Sequence, residues 1–236
     1  MNLNSRKDIV FLVLAGFFIT NAIVAELIGG KLVTFFGIFT QSIGIVMWPV
    51  VFIITDLVNE FYGQKGVRKL SYITVGLIAF TFLTLYACMQ IPATNFSPVS
   101  NKAFKEVFGQ STRIILWSIC AFIVSQLVDS SIFWMLREKS GKKMIWLRST
   151  GSTVISQLID TFIVQFGAFV LPGYWTMSEF AHNASYGYLF KLLVAFAVIP
   201  VIYLIHFWID KYLGDEVSHD MIKHTAEQNL HHHIKE

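Results

Sequence analysis

Residues 114–136 read IILWSICAFIVSQLVDSSIFWML, and Asp129 is the one charged side chain in the run. A helix needs about 20 mostly apolar residues to cross a hydrocarbon core roughly 30 Å thick at about 1.5 Å per residue. The run is long enough, and the chain around it suits a bilayer: 55% of its residues are hydrophobic, 14% are charged and the mean hydropathy is +0.60. Soluble domains carry about 25% charged residues, so the solvent of this chain is lipid.

Five further stretches share this character, about Ile9 to Ile28, Ser42 to Tyr62, Leu70 to Ile91, Gly151 to Leu171 and Gly187 to Ile209. A β-barrel would instead show alternating segments of about ten residues, and none is present. The expectation is an all-α polytopic membrane protein, a six-transmembrane-helix bundle over residues 1–212 followed by a polar, flexible cytoplasmic tail, 213–236. Orientation follows from Lys and Arg, which collect in short cytoplasmic loops. Arg6, Lys7, Lys65, Arg68, Lys69, Arg137, Lys139, Lys142, Lys143, Arg148 and Lys211 flank one set of ends, against Lys31, Lys102, Lys105 and Arg113 on the other. Both termini are therefore placed in the cytoplasm.

That topology accounts for the formal net charge of +3, and no nucleic-acid partner is invoked. The first apolar stretch is too long for the core of a cleavable signal and stays as a helix. Cys88 and Cys120 lie inside predicted helices with no CxxC partner, which reads as small buried packing residues, with neither a disulfide nor a metal site. His231, His232 and His233, with His219 and His224 upstream, lack ligand spacing and read as part of a solvated tail. No cofactor, metal or catalytic group is implied, and the chain is not read as an enzyme.

The pentad SQLVD at 125–129 recurs as SQLID at 156–160. Gln126 and Asp129 are three residues apart, as are Gln157 and Asp160, so each pair shares a helical face. The two helices are consecutive and antiparallel, which puts both acids some 10 to 15 Å from their cytoplasmic ends at about 1.5 Å per residue. An Asp near the bilayer centre costs on the order of 2.5 to 3.5 kcal/mol on insertion scales, so these groups should face the bundle interior or a wet cavity. Asn21 at similar depth and Asp56 nearer the inner end extend the layer. The substrate-binding set is Asn21, Asp56, Gln126, Asp129, Gln157 and Asp160.

Plainer roles exist for each member. The glutamines can simply join helices, at about 0.6 to 2 kcal/mol per hydrogen bond. Asp129 and Asp160 can pair with Arg113 or Lys191, although those cations sit near the outer ends and can snorkel away. Glu60, on the face of Asp56, can be solvated at the inner interface. Glu60, Arg113 and Lys191 are therefore the candidates for gating or ion pairing.

The second span ends DLVNEFYG (56–63), followed by Arg68. Taken with Asn21, Gly37, Pro49, Arg113, the two Ser-Gln-Leu-x-Asp segments, Arg137, Ser152-Thr153, Phe190-Lys191 and Pro200, it resembles the queuosine precursor transporter family, also described as vitamin-uptake-transporter-like, over roughly residues 9–210. The resemblance implies a multi-pass protein of the bacterial inner membrane. It also implies import of 7-deazaguanine precursors of queuosine, in nitrile and aminomethyl forms, for salvage into transfer-RNA modification. Glu26, the Gly29-Gly30-Lys31 turn and the chain after Asp210 are not placed by that pattern.

The chemistry is compatible. A deazaguanine presents N–H and amine donors beside a carbonyl, so a carboxylate accepts two hydrogen bonds while an amide donates to the carbonyl. Its flat ring stacks on an aromatic surface. Phe, Trp and Tyr make up 15% of the chain, too many to rank, and Trp48, Trp117 and Trp175 read as interfacial anchors near the outer ends. The antiparallel repeat points to a pseudo-two-fold relation between the fourth and fifth spans and to alternating access around an Asp/Gln pocket. Pro200 can supply a kink, and Asp129 or Asp160 a proton carrier. Phe104, Val107 and Phe108, in the long connection from Pro92 to Thr112, share one face of a short helix expected on the outer surface.

Two other classes fit parts of the pattern. One is the substrate-binding S component of an energy-coupling-factor importer, for which Ala25-x-x-x-Gly29 offers a small-residue contact. The other is an intramembrane aspartyl hydrolase, for which the chain lacks a Gly-x-Gly-Asp segment. The partners required are a small-molecule base and the lipid bilayer; a homo-oligomer is compatible with both.

Overall fold

The computed structural model describes residues 5–37, 39–109, 112–140 and 144–233. The first helix, α1 (Arg6–Ile28), buries Val10, Leu14, Phe18, Ala22 and Ala25, a spacing of three and four that turns one face to the bundle. Its other face carries Leu12, Val13 and Phe17, all exposed. The same inversion runs through the molecule: Phe80, Leu83 and Leu116 cover the outside, whereas Asn59, Glu60 and Arg148 are buried. An exterior this apolar would associate in water and is at home in hydrocarbon. The chain is a helical polytopic membrane protein.

A β-hairpin that the apolar reading does not anticipate follows α1. Strands β1 (Leu32–Phe35) and β2 (Phe39–Ser42) pair antiparallel, from Leu32 opposite Ser42 to Phe35 opposite Phe39. Strands of four residues are too short to show an alternating pattern. Phe36 and Gly37, with φ of 52° and 71°, reverse the chain between them. Ser42 fastens the hairpin to α1 by donating to the Gly29 carbonyl at 2.7 Å, and its hydroxyl accepts from Gly44 N–H to start a 3₁₀ turn, Ile43–Val46. Phe35 stacks on Phe190 at 4.9 Å between ring centroids. Gln41 lies against Gly187, where an added Cβ would come within 3.1 Å of Gln41 Nε2.

The next helix, α2 (Trp48–Met89), is broken at Gly63, whose φ of 73° and ψ of −179° are open essentially to glycine alone. A Cβ on Gly66 would lie 3.4 Å from Val58 Cγ1, two turns back, although two turns of straight helix span about 11 Å. The chain therefore folds back here, and α2 has two limbs. The short α3 (Asn101–Phe108) is capped by Ser100 and pairs Phe104 with Phe108 at 4.8 Å.

Helices α4 (Thr112–Ser140) and α5 (Ile145–Gln165) form the most extensive contact in the bundle. Small residues permit it: a Cβ on Gly151 would meet Leu136 Cδ1 at 2.6 Å. A π-helical turn, Phe166–Val170, extends α5, and Trp117 packs so closely on Gly167 that a Cβ there would lie 2.0 Å from its ring. Trp117 thus fills a helix contact, which differs from the interfacial anchor expected.

Helix α6 (Met177–Ala197) opens with a capping box between Thr176 and Glu179. It gives way at Val198 to α7 (Ile199–Leu213), bent from it by 42°. Pro200, in the first turn of α7, has no N–H to continue the preceding turn. Among the described residues four helical stretches are long and apolar enough to cross a membrane, and the bent α6–α7 pair makes a fifth if it is one span.

The segment expected as a flexible tail is instead helical over its described part, α8 (Asp215–His233). Ser218, Met221 and Thr225 are buried, and Thr225 Oγ1 donates to the Phe61 carbonyl at 3.2 Å. Their spacing of three and four gives α8 a docking face that its polar composition conceals. Cys88 and Cys120, read as buried, are both exposed, because their helices turn them away from the bundle.

Candidate functional site

Three helices contribute polar faces to one seam. From α2 come Thr55, Asp56, Asn59 and Glu60; from α4, Gln126, Asp129, Ser130 and Arg137; from α5, Arg148, Ser149, Ser152, Thr153, Ser156 and Gln157, and every one of these is buried. Steps of one, three or seven residues keep each set on one stripe of its helix. The small hydroxyls let the backbones approach and then supply the hydrogen bonds.

The bonds define a ladder. Thr55 Oγ1 donates to Gln126 Oε1 at 3.2 Å, and Ser130 Oγ to Asn59 Oδ1 at 2.8 Å. Ser156 Oγ donates to Asp129 Oδ1 at 2.9 Å, and Ser149 Oγ donates to Asp56 Oδ2. At the lower end Arg148 Nη2 donates to Glu60 Oε1 at 2.7 Å, with Arg137 Nη2 at 3.7 Å from the same oxygen. Arg137 also lies 4.4 Å from the Trp134 ring and donates to the Ile222 carbonyl of α8 at 3.0 Å. A single buried carboxylate thus holds two guanidinium groups.

Above this triad is a cavity of about 20 Å³. It has apolar walls from Ile53, Val194, Val198 and Ile202, aromatic surface from Trp48 and Phe52, and polar groups from Asp56, Ser149, Thr150, Thr153 and Lys191. Trp48 and Phe52 are stacked, with 20° between their planes. Asp56 Oδ1, Thr150 Oγ1 and Gln157 Oε1 are buried and have no hydrogen-bond partner among the described residues. Unsatisfied buried polar atoms are rare in native interiors, and this cavity borders two of them.

The six expected binding residues separate into three groups. Asp56, Gln126, Asp129 and Gln157 lie in the seam, but Asp56 alone of these borders the cavity. Asp160 turns to α6, where Lys191 Nζ donates to its Oδ2 at 2.7 Å and to Thr161 Oγ1 at 3.1 Å. Lys191 does not snorkel outward as expected, because its amine folds inward onto Asp160. Asn21 donates to the Phe17 carbonyl of its own helix and stays outside the seam. Glu60 is buried, which overturns the solvated reading. The side chain of Arg113 lies outside the described residues.

Sequence reading missed Arg148, assigned to a basic loop. Helix α5 begins at Ile145, so Arg148 already lies inside the bundle. The hydroxyl stripe at Ser149, Ser152, Thr153 and Ser156 carried the signal, since its period matches the polar faces of the neighbouring helices.

Comparison with known proteins bears on this geometry. A family model described as "Putative vitamin uptake transporter" matches residues 42–205. A Bacillus subtilis protein named "Probable queuosine precursor transporter" is 34% identical over 175 residues, covering 73% of this chain and 74% of the relative. A Haemophilus influenzae protein of the same name is 26% identical over 162 residues, 66% of this chain and 64% of the relative. No solved structure matches the chain. The matched region runs from the start of the 3₁₀ turn into α7 and so contains the polar seam and the cavity, and the chain belongs to the queuosine precursor transporter family, also described as vitamin-uptake-transporter-like.

Proposed function

We propose that this chain imports 7-deazaguanine precursors of queuosine by alternating access, holding the base between α2, α5 and the bent α6–α7 pair. The names of the relatives supply the substrate class. The observation that carries the placement is Asp56 Oδ1, a buried carboxylate oxygen without a partner at the wall of an apolar cavity. A carboxylate accepts the ring N–H and the exocyclic amine side by side. Thr150 and Lys191 are donors for the carbonyl edge, and Trp48 and Phe52 offer a flat surface for the ring. Gln126, Asp129 and Gln157 back this wall.

A cavity of about 20 Å³ has room for about one water, and we read this as a closed conformation. Admission of a bicyclic base requires α6 or α7 to move, and the 42° elbow at Val198 is the natural hinge. Six crossings follow if the two limbs of α2 each span, together with α1, α4, α5 and α6–α7. An even number puts both termini on one side, and the distribution of basic residues puts that side in the cytoplasm of a bacterial cell. The activity is transport, without chemistry on the base.

The test is binding and uptake by the purified chain in proteoliposomes, using a panel of deazaguanines and guanine. Asp56→Asn is expected to weaken binding by about 10- to 100-fold, since hydrogen bonds to a charged group contribute about 1.5–3 kcal/mol each. Equal affinity in wild type and variant would remove Asp56 from the site. Uptake only on addition of an ATP-driven module would make the chain a binding subunit instead.

A further inference from the structure

The acids of the bundle fall into two kinds. Glu60 holds Arg148 and Arg137, and Asp160 holds Lys191. Asp56 and Asp129 have no Lys, Arg or His nitrogen within ion-pair distance among the described residues. Their direct partners are serine hydroxyls of α5: Ser149 on Asp56, and Ser156 on Asp129. Both acids are buried, and each lies in the field of the other. An ammonium or guanidinium partner would fix a carboxylate in its ionised form. A hydroxyl holds it less firmly, because it donates to a carboxylate and can turn to accept from a carboxylic acid.

We propose that Asp56 and Asp129 form a proton-binding site that couples entry of the guest to the proton gradient, with the proton on Asp129 when Asp56 is ionised to receive the base. Two like charges in one buried seam oppose one another, so protonation of Asp129 favours the ionised Asp56 that the donor edge of the base requires. Proton and guest then bind with positive coupling, and linkage makes the effect reciprocal. The proton comes from water on the outer side, bonds to a carboxylate oxygen of Asp129 and leaves that oxygen to water on the inner side. No bond of the guest changes. Asp56 Oδ1, buried and unpartnered at the cavity wall, is the independent sign that the pair serves a ligand.

The surrounding charges have direct partners of their own, and Arg148 and Glu60 act on Asp56 only through space, with opposite signs. On α2 and α4, Glu60 and Arg137 belong to the triad, and on α5 Arg148 points its Nη2 at Glu60. On α6, Lys191 is on Asp160, which removes Asp160 as a carrier. Helix α1 directs Glu26 to Ser118 of α4, and among the described residues α7 brings Ile202 to the cavity, beside Val198 of the elbow.

The proposal rests on the reading of the site given above, and its test separates the two. Full-length protein in proteoliposomes is given an acid exterior, and initial uptake of the nitrile base is expected to rise by up to about tenfold per pH unit, the limit for one proton. Calorimetry in buffers of different ionisation enthalpy should show net proton uptake on binding. Asp129→Asn should make uptake indifferent to the gradient. Ser156→Ala, which removes the donor to the ionised form, should move the pH response to higher pH. Wild-type uptake that ignores the gradient while binding is intact, or an Asp129→Asn variant that responds as wild type does, overturns the coupling and leaves the substrate reading standing. If no deazaguanine binds, the substrate reading falls, and substrate-free protein decides the proton site. Its infrared spectrum, followed on acidification, should gain the carbonyl band of a buried protonated carboxyl that is missing in Asp129→Asn, and failure of that band to arise in acidified wild type overturns the proposal.

Discussion

Ser156, from the second Ser-Gln-Leu-x-Asp copy, donates to Asp129 of the first at 2.9 Å, whereas Ser125 of the first copy donates to the Phe122 carbonyl of its own helix. A two-fold arrangement would also place Ser125 on Asp160, which instead takes Lys191. The copies therefore do unlike work. Asp129 faces a hydroxyl inside the α2–α4–α5 seam, and Asp160 is an ion-pair acid facing α6.

Removal of Lys191 alone leaves Asp160 without its cation in a half-buried position. Lys191→Met should destabilise the protein by about 1–3 kcal/mol, below the roughly 3–5 kcal/mol of a fully buried pair because both side chains keep some solvent contact. Lys191→Met with Asp160→Asn should recover much of the loss. Thermal unfolding in detergent of the two single variants and the double variant closes the cycle, and additive losses would show that the pair has no coupling.

Arg148 is the largest of the fully buried side chains among the described residues, and it holds Glu60 at 2.7 Å. Arg148→Met should cost about 3–5 kcal/mol, as expected when one partner of a buried pair is deleted. Arg148→Lys should rescue little, since a point ammonium lacks the planar donor array of a guanidinium. Size-exclusion profiles and melting temperatures of both variants provide the check.

Gly63 has a conformation that side chains avoid, so Gly63→Ala should destabilise by about 1–3 kcal/mol. Gly63→Asn should be no better, because asparagine tolerates the left-handed helical region and this ψ of −179° lies outside it. Yield of folded protein from membranes distinguishes a required break from an incidental one.

Gly167 lies directly beneath Trp117. Gly167→Ala should overpack the α4 contact at a cost of about 1–3 kcal/mol and displace the indole. The tryptophan emission spectrum reads the displacement, and an unchanged spectrum with unchanged melting would place the ring elsewhere.

Much of the architecture is written in hydropathy, because a bilayer imposes a length and a polarity on each crossing. Burial of Asp129 was readable for the same reason, since an acid in the middle of an apolar run has few places to go. Partner choice was not readable. Whether Lys191 extends to an interface or folds onto Asp160 depends on the approach of α5 to α6, and spacing along either helix is silent on that distance. Arg148 was misplaced because positive charge in a short connection is ordinarily solvated, and only its contact with Glu60 reveals otherwise. The hairpin escaped because its strands are short. Among the aromatics, Trp48 and Phe52 stand out only once the cavity is known.

The stack of Phe35 on Phe190 ties the hairpin to α6 one residue from Lys191. The arm outside the helices and the ammonium within the bundle are consequently two ends of one lever. Any tilt of α6 that withdraws Lys191 must drag the arm along or peel the two rings apart.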